Sequence, residues 1–107
     1  MEGRVTGTAA AEDGNEIGVV ENRHLNRFEL KLADDAIAAA YYRIDGNRLV
    51  LIHTEVPSEY SGQGIATRLA TEVFEQIRAS GRKAVLRCPF MVHFYSKHPE
   101  YSDIVDG

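Results

Sequence analysis

Several side chains of this sequence have the types and spacing to do chemistry, and the first group sits in a turn. Ser61-Gly62-Gln63-Gly64-Ile65-Ala66 lies between an apolar run and an amphipathic segment. Two glycines there let the backbone bend sharply and bring several N–H groups onto an anion, and a helix starting at the bend adds its positive dipole end. Such a junction is a phosphate-binding site. Cys88 stands directly before Pro89, at the expected start of a second helix. The dipole there favours thiolate, hence a nucleophile, while a small buried hydrophobe is the competing role. His53 and Glu55 are two apart, so on a strand they share a face, and either could accept a proton, imidazole being the better suited near neutral pH. Tying the sheet together by hydrogen bonds is their alternative. Tyr95 follows Phe94 in the last helical segment, where a phenol is either a neutral proton donor or a core aromatic.

The turn is compatible with few nucleotide motifs. There is no Gly-x-x-x-x-Gly-Lys-Ser/Thr run to supply a lysine and a magnesium-binding hydroxyl. A dinucleotide fingerprint would need a third glycine where Thr67 stands, and the chain beyond it is too short for repeated parallel units. A plain turn and helix cap with no ligand is the remaining competitor. The histidines show no metal-ligand spacing, so no metal is expected; His93 and His98 read as surface or capping residues.

These residues have to be positioned by a small scaffold. The 107 residues, 44% hydrophobic and 26% charged, suffice for one core. A net charge of −4 argues against a general nucleic-acid binder. A single cysteine excludes an intrachain disulfide. With neither a signal-peptide pattern nor a membrane-length apolar run, a reducing, cytoplasmic setting is expected. Residues 1–15 read as a loose leader with a turn at Asp13-Gly14, and residues 16–107 as one domain. Strand-like runs follow at Glu16–Asn22, Arg27–Leu32, Ile37–Ile44 and Arg48–Val56. Asp45-Gly46-Asn47 marks a hairpin between the last two. Ala38-Ala39-Ala40 is read as strand because Tyr41, Tyr42 and Ile44 follow it. The Tyr41-Tyr42 pair is expected in the core, with an interface as the alternative. From Gly64 to Ser80 the period changes: Ile65, Leu69, Val73 and Ile77 repeat every four residues, and Gly81 stops the helix. A short strand at Lys83–Arg87, a helix from Pro89 to about Lys97 and an extended segment at Ser102–Val105 complete a mixed α/β fold.

Val56-Pro57-Ser58-Glu59-Tyr60-Ser61-Gly62-Gln63-Gly64-Ile65-Ala66 resembles the acetyl-CoA signature of the GNAT superfamily of N-acetyltransferases. Gly64 and Ala66 match its two small positions, and Ser61 stands where the signature usually has Arg or Gln. Phe94-Tyr95-Ser96-Lys97 resembles the superfamily's Phe-Tyr-x-Lys segment. His53-Thr54-Glu55-Val56-Pro57, the Gly-Gln-Gly-Ile turn, Cys88-Pro89-Phe90 and His98-Pro99-Glu100-Tyr101 are similar to a group of unusually small members, over roughly residues 16–105.

The resemblance implies a mostly antiparallel mixed sheet with an acetyl-CoA-binding helix and a C-terminal helix, open on the acceptor side. It implies that backbone N–H groups around Gly62, Gln63, Gly64, Ile65 and Ala66 anchor the pyrophosphate of acetyl-CoA. It further implies that the Val56 N–H polarises the thioester carbonyl, that Tyr95 protonates the departing sulfur, and that Cys88 lines the pantetheine arm. The expected activity is acetyl transfer by direct attack of an amine, a lysine side chain or N-terminus among the options. A non-catalytic coenzyme A sensor and ping-pong transfer through Cys88 are the alternatives. Neither nucleic acid nor membrane is an expected partner.

Overall fold

The computed structural model describes residues 18–107, so the leader, the turn at Asp13-Gly14 and Glu16 and Ile17 of the first strand run lie outside the described residues. Strands β1 (Val20–Asn22), β2 (Arg27–Lys31), β3 (Ile37–Asp45) and β4 (Arg48–Glu55) form an antiparallel meander. Strand β5 (Lys83–Leu86) lies parallel to β4 and completes the sheet in chain order. A parallel neighbour needs a crossover, and helix α1 (Ile65–Ser80) supplies it. Helix α2 (Pro89–Lys97) then runs from a proline in its first turn to His98, just before Pro99. This is the mixed, mostly antiparallel α/β architecture expected.

Both helices cover the same face of the sheet. Leu69, Ala70, Val73, Phe74 and Ile77 form the buried stripe of α1, and Met91 and Phe94 of α2 join the same core. Ala38 and Ala40 lie under α1, where a methyl-sized side chain lets the helix come close to β3. This is why an alanine run is tolerated as strand. Phe74 meets the edges of Phe94 at 5.2 Å and Tyr101 at 5.1 Å, joining α1, α2 and the turn after it. No helix among the described residues is long and apolar enough to cross a membrane.

Three details differ from the sequence reading. Asp45 pairs with Arg48, so the hairpin turn is Gly46-Asn47, and of these only Gly46 has positive φ, 63°. That is the type II′ pattern, with glycine first, and it does not rest on Asp-Gly. Tyr42 is buried against Phe28, but Tyr41 is half-buried on the opposite face, because neighbours on a strand point apart. Finally, Ser102–Val105 is mostly turn, and Val105 alone makes a parallel bridge to Ala84. Hydrogen bonds of 2.7 Å from Ala84 N to Ile104 O, Asp106 N to Ala84 O and Leu86 N to Gly107 O hold this end against the outer edge of β5.

One irregularity sets up the site. Tyr42 pairs with Leu51 and Tyr41 with His53, so Ile52 is an extra residue, a β-bulge on β4. Strict alternation from buried Leu51 would point His53 into the core. The extra residue turns His53 and Glu55 to the face opposite the helices and sends Thr54 towards them.

Candidate functional site

The turn into α1 is open and not closed by packing. Gly62 and Gly64 have φ of 78° and 76°, which excludes most side chains on conformational grounds. A Cβ on either would meet nothing within 4 Å, so the space outside the bend is open. No side chain caps α1, and no acid lies in its first turn. The first amides of Ile65, Ala66 and Thr67 are therefore offered outward at the positive end of a four-turn dipole. With Val56, Ser61, Gly62 and Gly64 they wall a hollow of about 280 Å³. The outward amides suit a phosphate group, and Tyr60, Ser61 and Thr67 add hydroxyl-bearing side chains to the wall. Gln63 does not line the hollow; its side-chain amide donates to Glu59 O at 3.4 Å.

Next to the turn the sheet opens. The β4–β5 ladder ends at Leu51 opposite Leu86. Leu51 O then accepts from both Arg87 N and Cys88 N at 2.9 Å, and the chain leaves β4 to enter α2. β4 continues alone on that edge from Ile52 to Glu55. At the base of the gap, Cys88 Sγ lies 3.4 Å from Thr54 Oγ1. Cys88 is 3% exposed, so in this conformation it is a wall of the gap and not an open thiol. Thr54 was not singled out from sequence, although its place between His53 and Glu55 puts it on the face towards α2.

On the other side of β4, His53, Thr54, Glu55, Val56 and Pro57 join Ile37 around an open groove of about 470 Å³. Val56 borders both hollows and is where they meet. His53 Nε2 lies 3.0 Å from Glu55 Oε2. Both side chains are more than half exposed, so the pair adds little to stability, about 0–1 kcal/mol. Its consequence is for the tautomer. A carboxylate oxygen only accepts, so the neutral imidazole carries its hydrogen on Nε2 and keeps the lone pair on Nδ1.

The remaining residues singled out from sequence lie apart. Tyr95, half-buried on α2, packs against the core, lines neither hollow, and makes no protein hydrogen bond through its hydroxyl among the described residues. His93 is exposed. His98 stacks on Phe94 at 4.3 Å and pairs with Glu100 at 3.2 Å, a structural role.

Comparison with known proteins bears on the family and the fold. The model of the GCN5-related N-acetyltransferase family matches residues 27–104. Protein NATD1 of Mus musculus is 34% identical over 88% of this chain and 87% of its own. Protein NATD1 of Homo sapiens is also 34% identical, over 84% of this chain and 81% of its own. The solution structure of a GCN5-like protein from Staphylococcus aureus superposes with a TM-score of 0.64 at 30% identity, covering 83% of this chain and 87% of that one. An open sheet edge beside an uncapped glycine turn, on a chain matched over most of its length, leads to one conclusion: the protein belongs to the GCN5-related N-acetyltransferase family.

Proposed function

We propose that residues 16–107 act as a minimal domain that binds acetyl-CoA and transfers its acetyl group to an amine by direct attack. The observation carrying this is the run of open elements from the β4–β5 gap through Val56 to the uncapped turn at Gly62–Ala66. A diphosphate on the turn would direct a pantetheine arm along the free edge of β4. That arm would pass Thr54 and Cys88, which line it, and bring the thioester to Val56. The groove on the other side of Val56 then receives the amine.

The chain's own groups divide the work. Glu55 holds the His53 tautomer, and His53 Nδ1 takes the amine proton, directly or through a water, as the nitrogen attacks the carbonyl carbon. The Val56 N–H donates to the developing oxyanion, a contribution typically worth about 3 kcal/mol of barrier. As the carbon–sulfur bond breaks, the thiolate takes a proton, from Tyr95 where the arm in the β4–β5 gap brings the sulfur to α2 and otherwise from water, and solvent restores the donor and His53. Acetylated amine and free coenzyme A are the products.

Calorimetric titration with acetyl-CoA and with coenzyme A tests the ligand, and coenzyme A release with a panel of small amines and lysine peptides tests the reaction. Binding with amine-dependent release is expected. Absence of binding defeats the proposal. Tight binding without release under any amine favours a sensor module, and acetylated Cys88 in intact mass spectra favours transfer through the thiol.

A further inference from the structure

A connected row of side chains crosses the helix-free face of the sheet and ends on His53. Arg27 is paired directly opposite Tyr41 in the β2–β3 ladder, and Tyr41 directly opposite His53 in the β3–β4 ladder. The Tyr41 and His53 rings stack, with centroids 5.9 Å apart and planes 27° from parallel. Arg27 Nη1 donates to Tyr41 Oη at 3.1 Å, and its guanidinium carbon lies 5.7 Å from the centre of the same ring. Arg27 is fixed in turn: its Nε donates to Glu29 Oε2 at 2.6 Å, and Asn22 Nδ2 donates to the same oxygen at 3.0 Å. The row exists because of the bulge at Ile52, without which Tyr41 would face a residue other than His53.

We propose that Tyr41 is a positioning residue for the His53 imidazole, and that Arg27 holds the phenol in place. Glu55 fixes which ring nitrogen carries the hydrogen, but one hydrogen bond leaves an exposed ring free to swing about it. The flat face of Tyr41 removes that freedom and keeps Nδ1 aimed. The proposal rests on reading His53 as the base. A misaimed base loses rate without losing substrate affinity, so the effect falls on kcat and not on the KM for acetyl-CoA.

The test compares wild type with Tyr41→Phe, Tyr41→Leu and Arg27→Gln. Folding is checked by backbone amide spectra, the His53 tautomer by ring-nitrogen NMR, its ring orientation by side-chain couplings, and turnover with n-butylamine and a lysine peptide. In Tyr41→Leu the His53 ring should lose its single orientation, read as averaged side-chain couplings, while Glu55 keeps its tautomer, and kcat should fall about tenfold with the KM for acetyl-CoA unchanged. Tyr41→Phe keeps the stack and should retain most of both, and Arg27→Gln should fall between. If Tyr41→Leu does not fold, Arg27→Gln against Tyr41→Phe decides the matter on the same two readouts. Wild-type turnover with His53 couplings and kcat unaltered in the Tyr41 and Arg27 variants overturns this inference alone. Absence of turnover in wild type, with His53 held in one tautomer, overturns the base reading and this inference with it.

Discussion

At the scale of single residues, His53 and Glu55 show how a modest contact becomes a chemical one. Their hydrogen bond contributes little to holding the sheet, yet it decides where the imidazole lone pair lies. Replacing His53 by Ala should lower kcat/KM for acetyl transfer about a hundredfold and leave acetyl-CoA affinity within about twofold. Cys88→Ala should be mild by comparison if the thiol only lines the gap. Steady-state rates and calorimetry on the same preparations separate the two. The pairing of His53 with Glu55 on one face followed from their spacing. The placement of His53 opposite Tyr41 did not, because it depends on the register shift at Ile52, and a bulge has no mark in the pattern of apolar residues. Tyr41 was assigned to the core for the same reason: nothing in Tyr41-Tyr42 says which ring faces inward.

At the scale of elements, the turn into α1 makes two separate demands on glycine. Alanine at Gly64 should destabilise the fold by about 1 kcal/mol because of the left-handed conformation, and should also weaken coenzyme A binding because its methyl projects into the open hollow. Gly46→Ala carries a similar conformational cost at a turn remote from the hollow, so it should lose stability and keep full affinity. Denaturation and titration of both variants distinguish backbone strain from lost binding. The short edge strand β1 is secured differently. Arg82 donates to both oxygens of Glu21, at 2.7 and 3.1 Å, and Tyr42 Oη donates to Glu21 at 2.6 Å. The Arg82 hydrogen bonds outweigh burial and hold the Glu21 carboxyl below its ordinary value. Burial first, and then Glu21, push the Tyr42 phenol up to about 12. A depressed carboxyl stabilises the fold above its unfolded pKa of 4.5, and that stability is lost as pH falls through the folded value. Arg82→Ala should therefore cost about 2 kcal/mol at pH 7, and the gap to wild type should close in acid, as urea denaturation at several pH values would show. Periodicity revealed α1, Pro89 and Pro99 bounded α2, and apolar runs marked the strands, three of which bury consecutive residues on both faces. The Glu21–Arg82 link was not legible, since it joins residues far apart in the chain whose charges look like ordinary surface.

At the scale of the whole molecule, the proposed ligand would bridge the free edge of β4 and the turn into α1, on either side of Val56. Binding to the folded state alone should stabilise it by about 2.7 kcal/mol at a hundred times Kd. For a domain of this size that is a rise in Tm of roughly 10 °C or more. A thermal melt unchanged by excess acetyl-CoA would count against the whole arrangement. The overall plan was readable because separate motifs fall in one order along the chain. The opening between β4 and β5 was not, because apolar runs show where strands are but not where a ladder stops.

That early stop has a consequence for motion. Below Leu51, β4 is hydrogen-bonded along both edges, while above it one edge has no strand partner. Amide protons of β4 should accordingly fall into two classes in deuterium exchange: slow ones in the lower half, which open only with global unfolding, and faster ones from Ile52 onward, which open locally. A bound molecule bonded to that bare edge would take the place of a missing neighbour. The gain in protection should then be concentrated in the upper half of β4 and the first turn of α1, so the exchange pattern alone would trace the ligand's path.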